Sequence, residues 1–259
     1  MSVKWVEETP VHYELLLHQE KIALNDLLGK KISFEFTGAI YCMECNRQTK
    51  KSFNQGYCYP CFIKLAICDS CIMRPELCHF HLGTCREPQW GEDYCMQDHF
   101  VYLSYASGLK VGITRVSQVP TRFIDQGATY ALPIFKVSSR YKSGQLEVKL
   151  KEIMSDRTDW RKMLQGEGES VDLFSKKKEI IPHAKKKLEE LSAEVLSDEK
   201  IYKLQYPVLK YPLKVKSLDL EKLKKIEGTL EGIKGQYLIL DTGVINIRKY
   251  GGYEILWQN

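Results

Sequence analysis

All nine cysteines of this 259-residue chain lie between Cys42 and Cys95, and the rest of the sequence is arranged on either side of that stretch. It opens with Cys42-x2-Cys45 and continues, after twelve intervening residues, with Cys58-x2-Cys61. A tight turn within each pair puts both thiolates on one side of an ion, so the two pairs read as a tetrahedral Zn²⁺ site. Disulfides are the competing explanation. The odd cysteine count, with no readable signal or transit peptide, favours zinc thiolates in a reducing cytoplasm.

The later ligands are Cys68-x2-Cys71, Cys78, His79, His81, Cys85, Cys95 and His99. Cys68 with Cys71 reads as one half-site and Cys95-x3-His99 as another, with Cys78, His79 and Cys85 between them. One further closed site is expected, giving two Zn²⁺ in all. His79 and His81 have an alternative as ordinary surface histidines. Closed quartets leave no open coordination position, so these ions are expected to be structural.

Hydrophobic residues make up 44% of the chain, enough to build real cores, yet no apolar run approaches the roughly 20 residues of a membrane span. The formal net charge of +5 is mild, but it is unevenly spread. Residues 101–165 carry eleven Lys and Arg against five Asp and Glu, whereas residues 42–100 carry six against seven. A basic surface suited to nucleic acid is therefore expected downstream of the cysteines.

Periodicity divides the remainder. Residues 1–41 read as strands, with Ile32, Phe34 and Phe36 alternating; 42–99 form the zinc module; 100–165 form a small α/β unit. Residues 166–200 read as a polar segment with a connecting helix over 183–196, and 201–259 as short strands with glycine turns. The expected class is α+β, in which a small C-terminal β-barrel is completed by the N-terminal strands. Within the α/β unit a hairpin is followed by a helix from Pro120 to Gly127, a strand over 132–137, a helix beginning after Gly144, and a short helix over 156–164.

Tyr102 in the first strand of that unit, Lys110-Val-Gly-Ile-Thr114 in the second, Arg122 ten residues after Gly112, and Glu147 at the start of a later helix resemble the GIY-YIG endonuclease superfamily. With Cys85-Arg-Glu-Pro-Gln-Trp-Gly91 and Ile124-Asp-Gln-Gly-Ala128, nearly the whole chain also resembles the zinc-rich bacterial family called domain of unknown function 2797. The first resemblance implies phosphodiester cleavage assisted by Mg²⁺ or Mn²⁺. Tyr102 would then be the general base or orient the attacking water, and Arg122 would bind phosphate through its planar fork. Glu147 would ligate the divalent ion, and Gly112 would admit close backbone approach by the substrate.

The chain departs from the superfamily at Lys110, where tyrosine is usual, and offers no clear match for its terminal asparagine. Arg115, Arg140 and Lys142 would extend the positive field onto phosphates. Plainer roles compete: Tyr102 covering a sheet, Arg122 pairing with Asp125, Glu147 favoured by the dipole in a first helical turn. The functional expectation is a zinc-stabilised nucleic-acid-binding protein, either a Mg²⁺-dependent nuclease or a degenerate relative. The competing reading is a zinc-scaffolded protein-interaction adaptor without catalytic activity.

Overall fold

The computed structural model describes residues 1–17, 20–166, 171–197 and 200–259, and its described strands form three antiparallel sheets. Strands β1 (Ser2–Lys4), β2 (His12–Leu17) and β3 (Glu20–Ala23) make the first. Strand β4 (Lys31–Tyr41) then leads through β5 (Gln48–Thr49) into the cysteine-rich segment, where short 3-10 turns separate α1 (Tyr59–Lys64) from α2 (Pro88–Tyr94).

The second sheet is built around β6 (His99–Tyr105), paired with β7 (Leu109–Arg115) on one side. Helix α3 (Thr121–Asp125) follows, and β8 (Tyr130–Val137) pairs on the other side of β6. Helices α4 (Arg140–Leu150), α5 (Trp160–Met163) and α6 (Leu173–Glu190) come next, and the short strands β9 (Glu194–Val195) and β10 (Tyr202–Lys203) both pair with β8. Alternation along β6 sends Val101 and Leu103 to one face, where they share a core with Leu146 and Leu150 of α4 and Ile180 and Leu188 of α6. Tyr102 points the other way, into a core shared with Phe34, Phe123, Ile124 and Ile233.

Helix α7 (Leu220–Leu223) precedes β11 (Lys225–Lys234), β12 (Tyr237–Leu240), β13 (Gly243–Asn246) and β14 (Tyr253–Gln258). The third sheet runs β13-β12-β11-β4-β14, with β5 against β4, and it is open; the expected barrel is not formed. Closure would require the edge strands β13 and β14 to pair. Instead, a 3-10 turn over Ile247–Tyr250 carries the chain across to the free side of β4. The N-terminal region does supply a strand to this sheet, since Phe34 of β4 lies opposite both Ile226 and Trp257. Strands β1 to β3 pair among themselves instead.

Two helices differ from expectation. Helix α6 spans 18 residues from Leu173, capped by the Asp172 carboxylate, which accepts from the Phe174 and Ser175 N–H groups. Pro182 does not end it, because Pro182 and Lys178, whose carbonyl loses its helical partner, both lie on the exposed side where water can serve. Leu173, Ile180, Ala184 and Leu188 are buried, so α6 is part of the core and not a solvated connector. Helix α4 starts at Arg140, where the Ser139 hydroxyl accepts from the Lys142 N–H, and Gly144 sits inside it. A Cβ at Gly144 would lie 2.5 Å from the Glu76 nitrogen and 2.7 Å from the Pro75 carbonyl carbon. The missing side chain lets the turn Pro75–Leu77 of the cysteine-rich segment press directly onto α4. Glu147 consequently stands two turns into the helix, not at its start.

Candidate functional site

Cys42 directly follows β4, Cys45 closes the turn after it, Cys58 caps α1 and Cys61 lies in the first turn of that helix. Their sulfur atoms all lie within 4.8 Å of one another, and Cys45 Sγ is 3.7 Å from Cys58 Sγ. A tetrahedron with Zn–S bonds of about 2.3 Å has edges of about 3.8 Å. The surroundings favour the thiolate at Cys42, whereas burial and the neighbouring thiols raise Cys61. Burial alone would raise the Cys42 thiol, but the backbone N–H groups of Cys45, Cys58 and Glu44 point at its sulfur and bring it down to about 6. This quartet fits one structural Zn²⁺.

Among the described residues no second quartet closes in this way. Cys68 and Cys71 fall on successive 3-10 turns with extended Asp69 between them, so the thiols part company. Cys68 takes a contact from Asn54 Nδ2 at 3.5 Å, whereas Cys71 faces a small cavity together with Cys78, Cys85 and Cys95. Asp69, Cys71 and His79 do approach one another within 4.8 Å. The Asp69 carboxylate is already held by Arg86 Nε at 2.7 Å and the Cys71 N–H at 3.2 Å, and His79 Nδ1 meets the Thr84 hydroxyl at 2.8 Å. His81 packs on Tyr141, ring centroids 5.2 Å apart. His99 is fully buried at the start of β6, its Nδ1 2.7 Å from the Gln97 carbonyl, and burial lowers its pKa to about 4. The expected half-site Cys68/Cys71 is therefore not formed, while His99 Nε2 is buried with no hydrogen-bond partner among the described residues.

A second group of polar side chains meets on the inner face of the central sheet. The Tyr102 hydroxyl donates to Gln126 Oε1 at 2.9 Å, and Lys110 Nζ donates to the same oxygen at 2.7 Å. Strand register sets Tyr102 directly opposite Gly112, where an added Cβ would lie 2.6 Å from the phenolic oxygen. Gly112 thus makes room for the tyrosine ring and not for a substrate. Burial pushes the Tyr102 hydroxyl up to about 12 against the opposing pull of Arg122, and burial with help from Arg122 lowers Lys110 to about 8. The Glu147 carboxylate acts on both groups. Its own pKa is raised by burial, and Lys151 Nζ stands 3.5 Å from it and 2.9 Å from Asp156.

Beside this group opens a depression of about 250 Å³, lined by Lys110, Asp125 and Gln126 on one side and by Trp160 and Tyr237 on the other. The Trp160 and Tyr237 rings stack at 5.5 Å and 3°, with the Arg161 guanidinium 4.3 Å over Trp160. Gln126, a polar residue of this region to which the resemblance assigns no role, is the hub. Asp125 accepts from Gln236 rather than closing a pair with Arg122. The outlying basic residues separate: Arg115 lies 4.7 Å over the Tyr94 ring, and Lys142 is half-buried on α4. Arg140 is turned toward the cysteine-rich segment, donating from Nη2 to the Ile72 carbonyl at 2.6 Å, and is not available as an open phosphate contact.

Fold and site define a mixed α/β protein organised around a four-cysteine cluster suited to zinc. The chain belongs to the DUF2797 family, described as a protein of unknown function, whose model matches residues 29–255. No curated protein and no solved structure matches it. Among the described residues no helix is long and apolar enough to cross a membrane.

Proposed function

We propose that this is a zinc-stabilised nucleic-acid-binding protein that engages phosphodiesters at the Tyr102–Lys110–Arg122–Glu147 cluster, as a GIY-YIG-like nuclease or a relative that has lost cleavage. The observation that carries the reading is convergence: Tyr102 and Lys110 from adjacent strands both bond to Gln126 within electrostatic reach of Arg122 and Glu147, and Lys110 and Gln126 line an open depression. The hairpin supports it as well, since the tyrosine strand and the Lys-Val-Gly strand lie side by side with Tyr102 over Gly112. With its hydroxyl pushed up to about 12, Tyr102 is a phenol at neutral pH; fully buried and donating to Gln126, it positions that amide and is not a resting base. Lys110 and Arg122 supply positive charge to a phosphate. Glu147 and Asp156 are the carboxylates available to Mg²⁺ or Mn²⁺, and such an ion would replace Lys151 between them. When bound it would stabilise charge developing on the phosphate.

The test is binding and cleavage of labelled DNA and RNA by the full chain, at low and moderate salt, with Mg²⁺ or Mn²⁺. Binding should weaken as salt rises, and Arg122→Ala should weaken it roughly tenfold. If the chain cleaves, Glu147→Ala should abolish cleavage with binding retained. Absence of salt-sensitive binding to either nucleic acid would overturn the proposal. The adaptor reading draws on a separate observation: the cysteine-rich segment exposes Met43, Ile63, Met73, Leu77 and Leu82.

A further inference from the structure

We propose that Asp69, Cys71 and His79 bind a second Zn²⁺, in a three-ligand site that leaves the fourth coordination position to a water in the adjoining cavity. The three ligand atoms lie within 4.8 Å of one another, and among the described residues no further Cys, His, Asp or Glu joins them at that distance. Three protein ligands and one free position make an open zinc site, unlike the closed four-cysteine cluster. The donor set selects the metal. One thiolate, one imidazole and one carboxylate suit Zn²⁺, whereas Mg²⁺ and Ca²⁺ take oxygen ligands.

The hydrogen bonds around His79 fix the state of its ring. The Thr84 hydroxyl donates to the His79 carbonyl at 3.3 Å, so its oxygen accepts from His79 Nδ1 at 2.8 Å. The ring proton is thereby on Nδ1, and Nε2 carries a lone pair 3.5 Å from Asp69 Oδ2. Two acceptors this close repel each other unless a cation or a second ring proton lies between them. The spacing favours the cation, since an N–H···O bond is normally about 2.7–3.2 Å long. Nitrogen and oxygen ligands about 2.0–2.1 Å from a tetrahedral centre stand about 3.3 Å apart, close to the separation here.

The contacts outside the trio are those that orient zinc ligands. Asp69 Oδ1 accepts from the Cys71 N–H at 3.2 Å, so carboxylate and thiol are held by one 3-10 turn, Ser70–Ile72. Asp69 Oδ2 accepts from Arg86 Nε at 2.7 Å and keeps a further lone pair for an ion. A partner on the second ring nitrogen of the histidine and another on the carboxylate are what such a site requires. All three residues line a cavity with room for about one water-sized body, which takes the fourth ligand. Cys71 is buried and His79 partly exposed, so the ion enters from the histidine side. Asp69 is hidden from a search for Cys and His spacings, and it replaces the fourth thiolate that a closed site would need.

The experiment is zinc analysis of the full chain after equilibration with Zn²⁺ and gel filtration, paired with cadmium NMR of the cadmium-loaded chain, where the shift reports how many sulfurs surround each ion. The expected result is two ions per chain and two cadmium signals, one from four sulfurs and one well separated from it, from a single sulfur with nitrogen and oxygen. Asp69→Asn and His79→Ala should each lose one Zn²⁺ and keep the other, while His81→Ala should keep both. One ion per chain would overturn the proposal. So would a second signal in the four-sulfur range, or two ions retained in the Asp69→Asn, His79→Ala double variant. The wild-type spectrum stands by itself should a variant fail to fold.

Discussion

A single amide oxygen, Gln126 Oε1, accepts from both a phenol and an ammonium group, and Lys110 is the costlier of the two to keep there. Burial and Arg122 lower Lys110 from 10.5 to about 8, so the native protein releases this proton more readily than the unfolded chain does. Below about pH 8 the group is charged in both states and its burial penalty is fully present. Between about pH 8 and 10.5 the unfolded chain binds more proton than the native one, so this contribution to stability rises with pH. Urea unfolding of wild type and Lys110→Met across this window should show the wild type gaining on the variant by up to about 3 kcal/mol. A flat difference would mean that Lys110 titrates normally. The candidate residues are readable as a motif, because Tyr102, Lys110, Arg122 and Glu147 are ordered along the chain. Gln126 is not, because its role depends on strand register and on where α3 ends, neither of which leaves a mark on a glutamine.

At the scale of elements, α4 carries most of the burden, since it covers the central sheet with Leu146 and Leu150 and receives the cysteine-rich segment at Gly144. In an ordinary exposed helix, replacing glycine by alanine stabilises by about 1 kcal/mol. Here the added carbon meets backbone atoms of Pro75 and Glu76, which cannot swing aside as a side chain would. Gly144→Ala is therefore expected to destabilise the protein by about 1–3 kcal/mol, seen as a lower urea midpoint at unchanged slope. A raised midpoint would show that the contact is loose. The same glycine explains why the start of α4 is hidden in the sequence: read locally, Gly144 is a helix boundary, and only the close approach of residues 75–76 makes it an interior residue. Pro182 misleads in the same way, since its missing N–H ends a helix only where the freed carbonyl has no water. The strands are more legible, because alternation of Ile32, Phe34 and Phe36, or of Val101 and Leu103 against Tyr102, is a direct consequence of which face each side chain takes. Which strands pair, and that the third sheet stays open, is set by the connection over Ile247–Tyr250 and leaves no mark on the strands themselves.

For the whole molecule, the zinc quartet joins the end of β4 to α1 and so ties the third sheet to the cysteine-rich segment. Chelation should release the ion from the Cys42–Cys45–Cys58–Cys61 site and lower the stability of the entire chain by several kcal/mol, because structural zinc contributes on the order of 10 kcal/mol to ordering its loops. Circular dichroism during titration with chelator checks this; an unchanged melting temperature after zinc loss would mean that packing alone holds the segment. Cys45→Ser should reproduce the loss without chelator.

Strand β4 also sets a timetable. Both of its main neighbours, β11 and β14, are synthesised far later, as in the contact from the Thr37 hydroxyl to Glu254, 217 residues away. The zinc ligands span only residues 42–61, so the metal can be captured as soon as that stretch leaves the ribosome. Until residues 225–258 emerge, β4 waits with both long edges bare except where β5 meets Ile40 and Tyr41, and unpaired edges recruit foreign strands. Early metal capture would fix the end of β4 during that wait. A cell short of zinc would thus leave nascent chains with a free-ended, doubly exposed strand, and the harm would surface first as aggregation during synthesis, before any finished molecule had lost its ion.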